Sequence, residues 1–519
     1  MSGSTILWVL IGYFTLLLVI SLITSRKATN QTFFQGNRQS HWFLVAFGMV
    51  GASLSGVTFI SVPGWVGTTH WHYYQMVLGY IIGYLLIAQV LLPIYYRLEL
   101  TSIYTYLEQR LGHYAYKTGA FYFLLSRTLG AAFRLFLVAG VLQLFVFDEL
   151  GVPFWFTVTL TLALIWVYTF RGGIRTIVFT DTLQTGLMLI ATFLTIILIG
   201  KELDTGVWGM AKMVASSGYA EIFNWNWQDP TFFPKHFIGG ALVAATMTGL
   251  DQDMMQKNLS CRSLPEAQKN IRWQAILFPT VNIFFLSMGV LLLLYTISLQ
   301  MGPDAMAKFS ATGTMPVEAI DQMGASTQTD LTYTREDGSR GVQTDYLFPM
   351  IALRQLPAIV GIIFLIGLIA AAYSSADSAL TALTTSFCID FLGYSPTSLP
   401  QYVRIGVHVA ISLVLLLLIL LMEAWGNQAV IGRIFTAATY TYGPLLGLFT
   451  FGIFTKRMVQ DRWVPIVCIA APVLCYLLKD NQALLLGDYQ FGYEMLGLNG
   501  ALTFLGLWLI SNPQKTTHE

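Results

Sequence analysis

Residues 361–387, GIIFLIGLIAAAYSSADSALTALTTSF, begin as an apolar run long enough to enter a bilayer and turn midway into small and hydroxylated residues around one carboxylate. At helical spacing Ser374, Asp377, Ser378 and Thr381 fall on one face, with Ser375 about 100° round from Ser374. Oxygen atoms in a row at mid-membrane depth, with no basic residue among them, suit a small hard cation or, through Asp377, a proton. Ser, Thr, Ala and Gly also let helices approach closely, so a packing face is the plain alternative for the serines.

A second kind of chemistry lies in SRTLGAAFRL, where Arg127 and Arg134 stand two turns apart on one helical face. An arginine inside a membrane is costly unless paired, and a guanidinium facing a central cavity can grip a carboxylate with two parallel hydrogen bonds. For Arg127 the competing reading is an ion pair with Asp181 or Asp377. Arg134 reads as structural, and Asp181 reads equally as a first-turn carboxylate stabilising the N-terminus of its own helix. A membrane-embedded enzyme would need His, Glu or Cys gathered at one depth. His70 and His72 fall in an outer loop and His408 is alone in its span, so the chain does not read as an enzyme.

What must position these residues is a bundle of membrane helices. With 55% hydrophobic and 11% charged residues, a chain of 519 residues is excluded from the soluble globular class. A formal charge of +1 without basic runs leaves no footprint for nucleic acid, and four scattered cysteines suggest neither a metal site nor a disulfide framework. Apolar stretches number about thirteen, from 5–24 to 498–511. The first lacks a basic n-region and is followed by Arg26 and Lys27, so it is expected to be a retained span. Alternate connections collect the basic residues: Arg26, Lys27 and Arg38; Arg97, Arg110 and Lys117; Arg171 and Arg175; Lys257, Arg262, Lys269 and Arg272; and, towards the end, Lys456, Arg457, Arg462 and Lys515. The positive-inside rule then puts the N-terminus outside and the C-terminus in the cytoplasm, with surface helices expected over 97–117 and 256–272. Compact loops and few cysteines point to a bacterial inner membrane, with the lipid bilayer as surroundings and no obligate protein partner evident.

Two spans are interrupted. The second (42–66) and the seventh (237–253) carry glycines among Ser and Thr, which weaken a helix. They lie five spans apart, an odd number, so two halves of five spans would be inverted in the membrane, with unwound carbonyls meeting a cation at the midplane. On this division residues 1–41 are a first span and linker, 42–199 and 200–454 the two repeats, and 455–519 two accessory spans and a short tail.

Four stretches resemble the sodium:solute symporter family, with its LeuT-type fold of five plus five inverted spans. They are SVPG at 61–64, RGGIRTIVFTDTLQ at 171–184, TDYLFPMIALRQLP at 344–357 and AAAYSSADSA at 370–379. The resemblance implies an all-α membrane protein with sodium as its coupling ion. Carried over residue by residue, it implies a principal sodium site built from the carbonyls of Gly51, Leu54 and Ala371 and the hydroxyls of Ser374 and Ser375. It also implies a second site among Asp181, Ser374, Asp377 and Ser378. There Asp377 departs from the expected Ser or Thr and leaves both sodium and a proton open.

In the family the solute lies beside the principal site, which implies Ser53, Ser55, Thr58 and Gln75 as polar contacts, together with Arg127. This Ser-x-Ser-x-x-Thr pattern, with its downstream Gln and fourth-span Arg, is similar to the bacterial sialic acid branch. Met247 and Thr248 stand where sugar symporters carry a tyrosine gate. The expectation is a sodium-coupled symporter importing a small polar solute, a sialic acid or another carboxylated sugar, by alternating access. The alternatives are a neutral sugar or monocarboxylate symporter and, from another class, a transporter-like solute sensor.

Overall fold

The computed structural model describes residues 3–24, 33–34, 36–169, 173–327, 331–334, 338–423 and 430–513; Arg26, Lys27, Arg171 and Lys515, used above for orientation, lie outside the described residues. A helix occupies every apolar stretch of the sequence. In chain order these are α1 (Gly3–Thr24), α2 (Trp42–Thr69), α3 (His72–Arg97), α4 (His113–Phe147), α5 (Phe154–Thr169), α6 (Gly173–Glu202) and α7 (Phe233–Ala244). There follow α8 (Gln252–Leu259), α9 (Leu264–Met301), α10 (Ala358–Phe391), α11 (Gln401–Glu423), α12 (Val430–Phe454), α13 (Val464–Asp480) and α14 (Met495–Leu509). Among the described residues, 8 helices are long and apolar enough to cross a membrane.

The most buried of these helices is α2, which packs along α6, α9 and α10. Peripheral helices reverse the usual pattern: α11 and α13 turn Leu413, Leu417, Leu421, Ile466, Ile469 and Val473 outward. Lipid tails are as apolar as leucine, so such a surface carries no penalty in a bilayer. Two short antiparallel ladders, Thr332–Thr334 with Arg340–Val342 and Met458–Val459 with Ser511–Asn512, add strand to a chain expected to be all-α. Both lie outside the long helices.

The two expected interruptions differ in construction. In α2 the helix breaks at Ser55, which takes φ 52° and ψ 172°. A serine held at positive φ costs about 1–3 kcal/mol, so the packing around it must over-determine the conformation. It does so at Gly56, where a Cβ would stand 3.1 Å from Val138 Cγ2 and 3.5 Å from Ala372 N.

The other break does not fall on the glycine pair of the seventh stretch. Gly239 and Gly240 stay helical, and a Cβ on Gly240 would lie 2.1 Å from the Met76 carbonyl oxygen, so this glycine lets α3 and α7 touch. The chain then widens over Ala245–Gly249 and leaves the helix at Leu250 and Asp251. Carbonyls freed there are taken by tyrosines: Tyr95 donates to Gly249 O and Tyr104 to Leu250 O, each at 2.9 Å. Asp251 restarts the chain as N-cap of α8, its Oδ1 accepting from Asp253 N at 2.9 Å and Met254 N at 3.3 Å.

Of the two expected surface helices, Thr105–Arg110 forms within the first connection. The second expectation is corrected over Gln256–Leu259, which belong to α8 and are buried, whereas Leu264–Arg272 open α9 with Lys269 and Arg272 exposed. Helix α8 is the second half of a broken helix rather than a connection.

Glycine also sets the contact of α2 with α6. A Cβ on Gly48 would lie 2.9 Å from Asp181 Cβ, and one on Gly51 would lie 1.9 Å from Thr185 Oγ1. Thr185 is held in place by donating to the Asp181 carbonyl at 2.7 Å. Gly51→Ala is therefore expected to lose about 1–3 kcal/mol through overpacking, read as a lowered melting temperature in detergent. Thr185→Ala in the same chain should recover part of that loss. An unchanged melting temperature for Gly51→Ala would mean that α2 and α6 do not meet here.

Candidate ion and solute site

Three helices meet at Asp181. Because α6 begins at Gly173, this residue lies more than two turns inside the helix, which corrects the first-turn reading. Ser374 of α10 donates to its Oδ1 at 2.6 Å, and Lys257 of α8 donates to its Oδ2 at 2.7 Å. Both partners are buried, as is the carboxylate. Three residues on, Gln184 donates to the Tyr13 hydroxyl of α1 at 3.1 Å. Lys257 belonged to a cytoplasmic connection in the sequence reading, and its place at Asp181 was missed.

The residues assigned to the principal sodium site lie where α2 and α10 touch. Ala371, Ser374 and Ser375 share one buried stretch of α10, with Ser375 Oγ 3.4 Å from the Ala371 carbonyl. Gly51 and Leu54 occupy the last turn of α2 before its break, and Gly56 just beyond the break packs on Ala372. Carbonyls and hydroxyls alone form a hard, oxygen-only donor set, suited to sodium and unsuited to a transition metal.

The second set is divided. Asp181 and Ser374 are bonded to one another, but the Ser378 hydroxyl donates to Asp253 of α8. Asp377 is fully buried on the same helix.

Arg127 does not pair with Asp181 or Asp377. Its guanidinium forms an ion pair with Asp253 and stands 3.9 Å from Asp251 Oδ2, and that oxygen also accepts from the Tyr442 hydroxyl of α12 at 2.5 Å. A substrate carboxylate would therefore have to compete with two aspartates for Arg127. Arg134 is the reverse case. It is buried and forms no ion pair among the described residues, and its Nη1, like Arg127 Nε, has no hydrogen-bond partner there.

A chamber of about 70 Å³ is lined by Ser53, Ser55, Thr58, Tyr84, Arg127, Arg134 and Thr248. Ser53 is steadied by Gln274 of α9, which donates to its Oγ at 2.8 Å. Beyond the chamber opens a vestibule of about 870 Å³, lined by Trp65, Thr69, His236, Arg433 and Tyr493 among others, and Tyr73 borders both spaces. Tyr73, Phe435 and Tyr493 form an aromatic collar between the two, with ring centroids 6.4 Å and 5.1 Å apart along the series.

Gln75 lies elsewhere. Its amide donates to His72 O at 3.2 Å and Thr231 O at 2.9 Å and accepts from Asn224 N at 3.2 Å, so it clamps the loop before α7 and does not line the chamber. The acidic and basic residues of α8 were legible as a pattern, since Asp251, Asp253 and Lys257 directly follow an apolar run. Their proximity to a helix break was the signal that they face inward.

A helix break packed on a hydroxyl-bearing helix, beside a polar chamber in a bundle of apolar helices, is the architecture of an ion-coupled membrane transporter. The chain belongs to the sodium:solute symporter family, whose profile matches residues 33–461. It is thus a multi-pass membrane transporter, and sodium is its coupling ion. The sodium/sialic acid symporter NanT of Aliivibrio fischeri is 26% identical over 466 residues, covering 86% of this chain and 82% of that protein. The sodium/sialic acid symporter SiaT of Proteus mirabilis is 25% identical over 475 residues, covering 86% and 84% respectively. A solved Na+-coupled sialic acid symporter, in a substrate-bound outward-open state, superposes with a TM-score of 0.75 at 20% identity over 98% of each chain. At that identity the likeness speaks for the fold.

Removing one partner from a buried ion pair costs about 3–5 kcal/mol, because the other is left uncompensated. Arg127→Gln is expected to lower the melting temperature sharply, and Arg127→Gln with Asp253→Asn to recover part of the loss. Thermal unfolding in detergent decides the point. Additive losses in the double variant would show that the two groups do not interact.

Proposed function

We propose that this protein imports a carboxylated sugar acid of the sialic acid type together with sodium, by alternating access. The observation that carries the reading is Arg134: a buried guanidinium with an unpaired Nη1, facing a chamber lined by Ser53, Ser55 and Thr58. A carboxylate is the ligand that satisfies it, by a charge-assisted and planar pairing. The hydroxyls around it suit the polar remainder of a sugar. That the relatives reported above carry sialic acid in their names supports the same class.

Sodium would be held by Gly51, Leu54, Ala371, Ser374 and Ser375, across the break that also forms one wall of the chamber. Binding there fixes the α2 break against α10 and so shapes the solute site, which is how one ligand favours the other. Ligand sites commonly enclose about 300–1,000 Å³, so the vestibule admits a sugar acid whereas the chamber admits it only when the aromatic collar parts. We place the vestibule on the outer side, the N-terminus outside and the C-terminus in the cytoplasm of a bacterial inner membrane, with residues 42–199 and 200–454 as inverted repeats of five spans. Across about 100 mV, inside negative, each net charge that enters contributes about 2.3 kcal/mol, so an anionic solute cancels the contribution of one sodium ion and the sodium concentration gradient then drives uptake.

Uptake of radiolabelled sialic acid into proteoliposomes, with and without an inward sodium gradient, tests the proposal. Ser374→Ala is expected to abolish the sodium-dependent component. Arg134→Gln is expected to raise KM roughly 10- to 100-fold, the loss of a charge-assisted pair worth about 1.5–3 kcal/mol, and Arg134→Lys less so. Sodium-dependent uptake of neutral hexoses or short monocarboxylates in place of sialic acid would replace the solute. Uptake indifferent to sodium would remove the symport reading itself.

A further inference from the structure

The ammonium of Lys257 is the feature of the centre that transport of one solute and one ion does not require. It sits on α8, a helix buried along its whole length, and reaches Asp181 Oδ2 at 2.7 Å. The other oxygen of the same carboxylate accepts from Ser374, a ligand of the principal sodium site. A second sodium ion at this place would need Asp181 as its anionic ligand and free hydroxyls around it. Asp181 is already balanced by a cation fixed to the chain, Ser374 donates to Asp181 and Ser378 donates to Asp253, so three of the four residues expected to form that site are engaged with groups of the chain itself. In a low-dielectric site, one carboxylate does not neutralise both an ammonium and a sodium ion, and the two cations repel.

We propose that Lys257 is a tethered substitute for a second sodium ion, so that the protein binds one sodium ion per transport cycle. The proposal rests on the sodium symport reading above and concerns the ion count of that site. Lys257 is suited to the place because an ammonium offers compact positive charge with donors in every direction, and its flexible stem lets α8 keep its own packing. An ordinary structural ion pair would share the geometry but would not control how many sodium ions bind.

Equilibrium binding of radioactive sodium to the purified full-length protein in detergent separates the two. The unaltered protein is expected to bind one sodium ion per chain with a Hill coefficient of one. Lys257→Gln leaves Asp181 uncompensated and is expected to raise the count to two. Lys257→Gln combined with Asp181→Asn should return it to one, and Lys257→Arg should stay at one. Two ions on the unaltered protein, or one ion on a folded Lys257→Gln, would overturn the proposal. If Lys257→Gln does not survive purification, Asp181→Asn decides: a count unchanged from the unaltered protein supports the substitution by Lys257, and a count one lower overturns it. No sodium bound to the unaltered protein would instead sink the symport reading on which the proposal rests.

Discussion

Asp181 keeps a carboxylate where water does not reach, and it can do so only because other helices deliver a lysine and a serine to its two oxygens. That requirement organises the centre of the bundle. The glycines at 48 and 51 let α2 lie against α6 closely enough to enclose the carboxylate, Ser374 fixes the face that α10 turns inward, and Lys257 pulls α8 into the core. The break in α2 is therefore an irregular backbone buried in protein, the one setting in which a membrane tolerates it.

A second charged group, around Arg127, lies one turn away along α8, where Asp253 precedes Lys257 by four residues. Asp253 joins Arg127 of α4 to Ser378 of α10, and Asp251 joins the N-terminus of α8 to Tyr442 of α12. A short helix thus ties α4, α6, α10 and α12 through three charged side chains, so any movement of α8 is felt in all four. Arg134 stands apart from this exchange, with its positive charge directed at the chamber. On the proposed reading, sodium at the α2–α10 contact and a carboxylate on Arg134 enter a poorly polarisable interior as a neutral pair. Each lowers the electrostatic cost of admitting the other, which is a physical basis for coupling.

Much of this was legible in the residues. Apolar length located the helices, and the Ser, Thr and Asp face of residues 371–378 marked a polar surface that hydrocarbon would reject. Local pattern also placed the break in α2 correctly, because small hydroxylated residues around Gly51 and Gly56 weaken a helix whatever surrounds it. What failed was pairing between distant segments. Arg127 was matched with Asp181 or Asp377, while Asp251 and Asp253, at the end of the seventh stretch (237–253), were not weighed as its partners and Lys257 was read as part of a connection. A broken helix ends its apolar run early, so charge following such a run belongs to the core and not to the loop. Gln75 shows the converse error: a polar residue at the right depth had already been claimed by the backbone of the loop before α7.

The central claim, that sodium binds across the break of α2 and fixes it against α10, is tested most directly by hydrogen exchange of the purified protein in sodium and in potassium. Sodium should slow exchange of backbone amides in residues 49–57 and 371–378 together, and Ser374→Ala should remove the protection in both. Protection of neither segment by sodium, or equal protection by potassium, would contradict it.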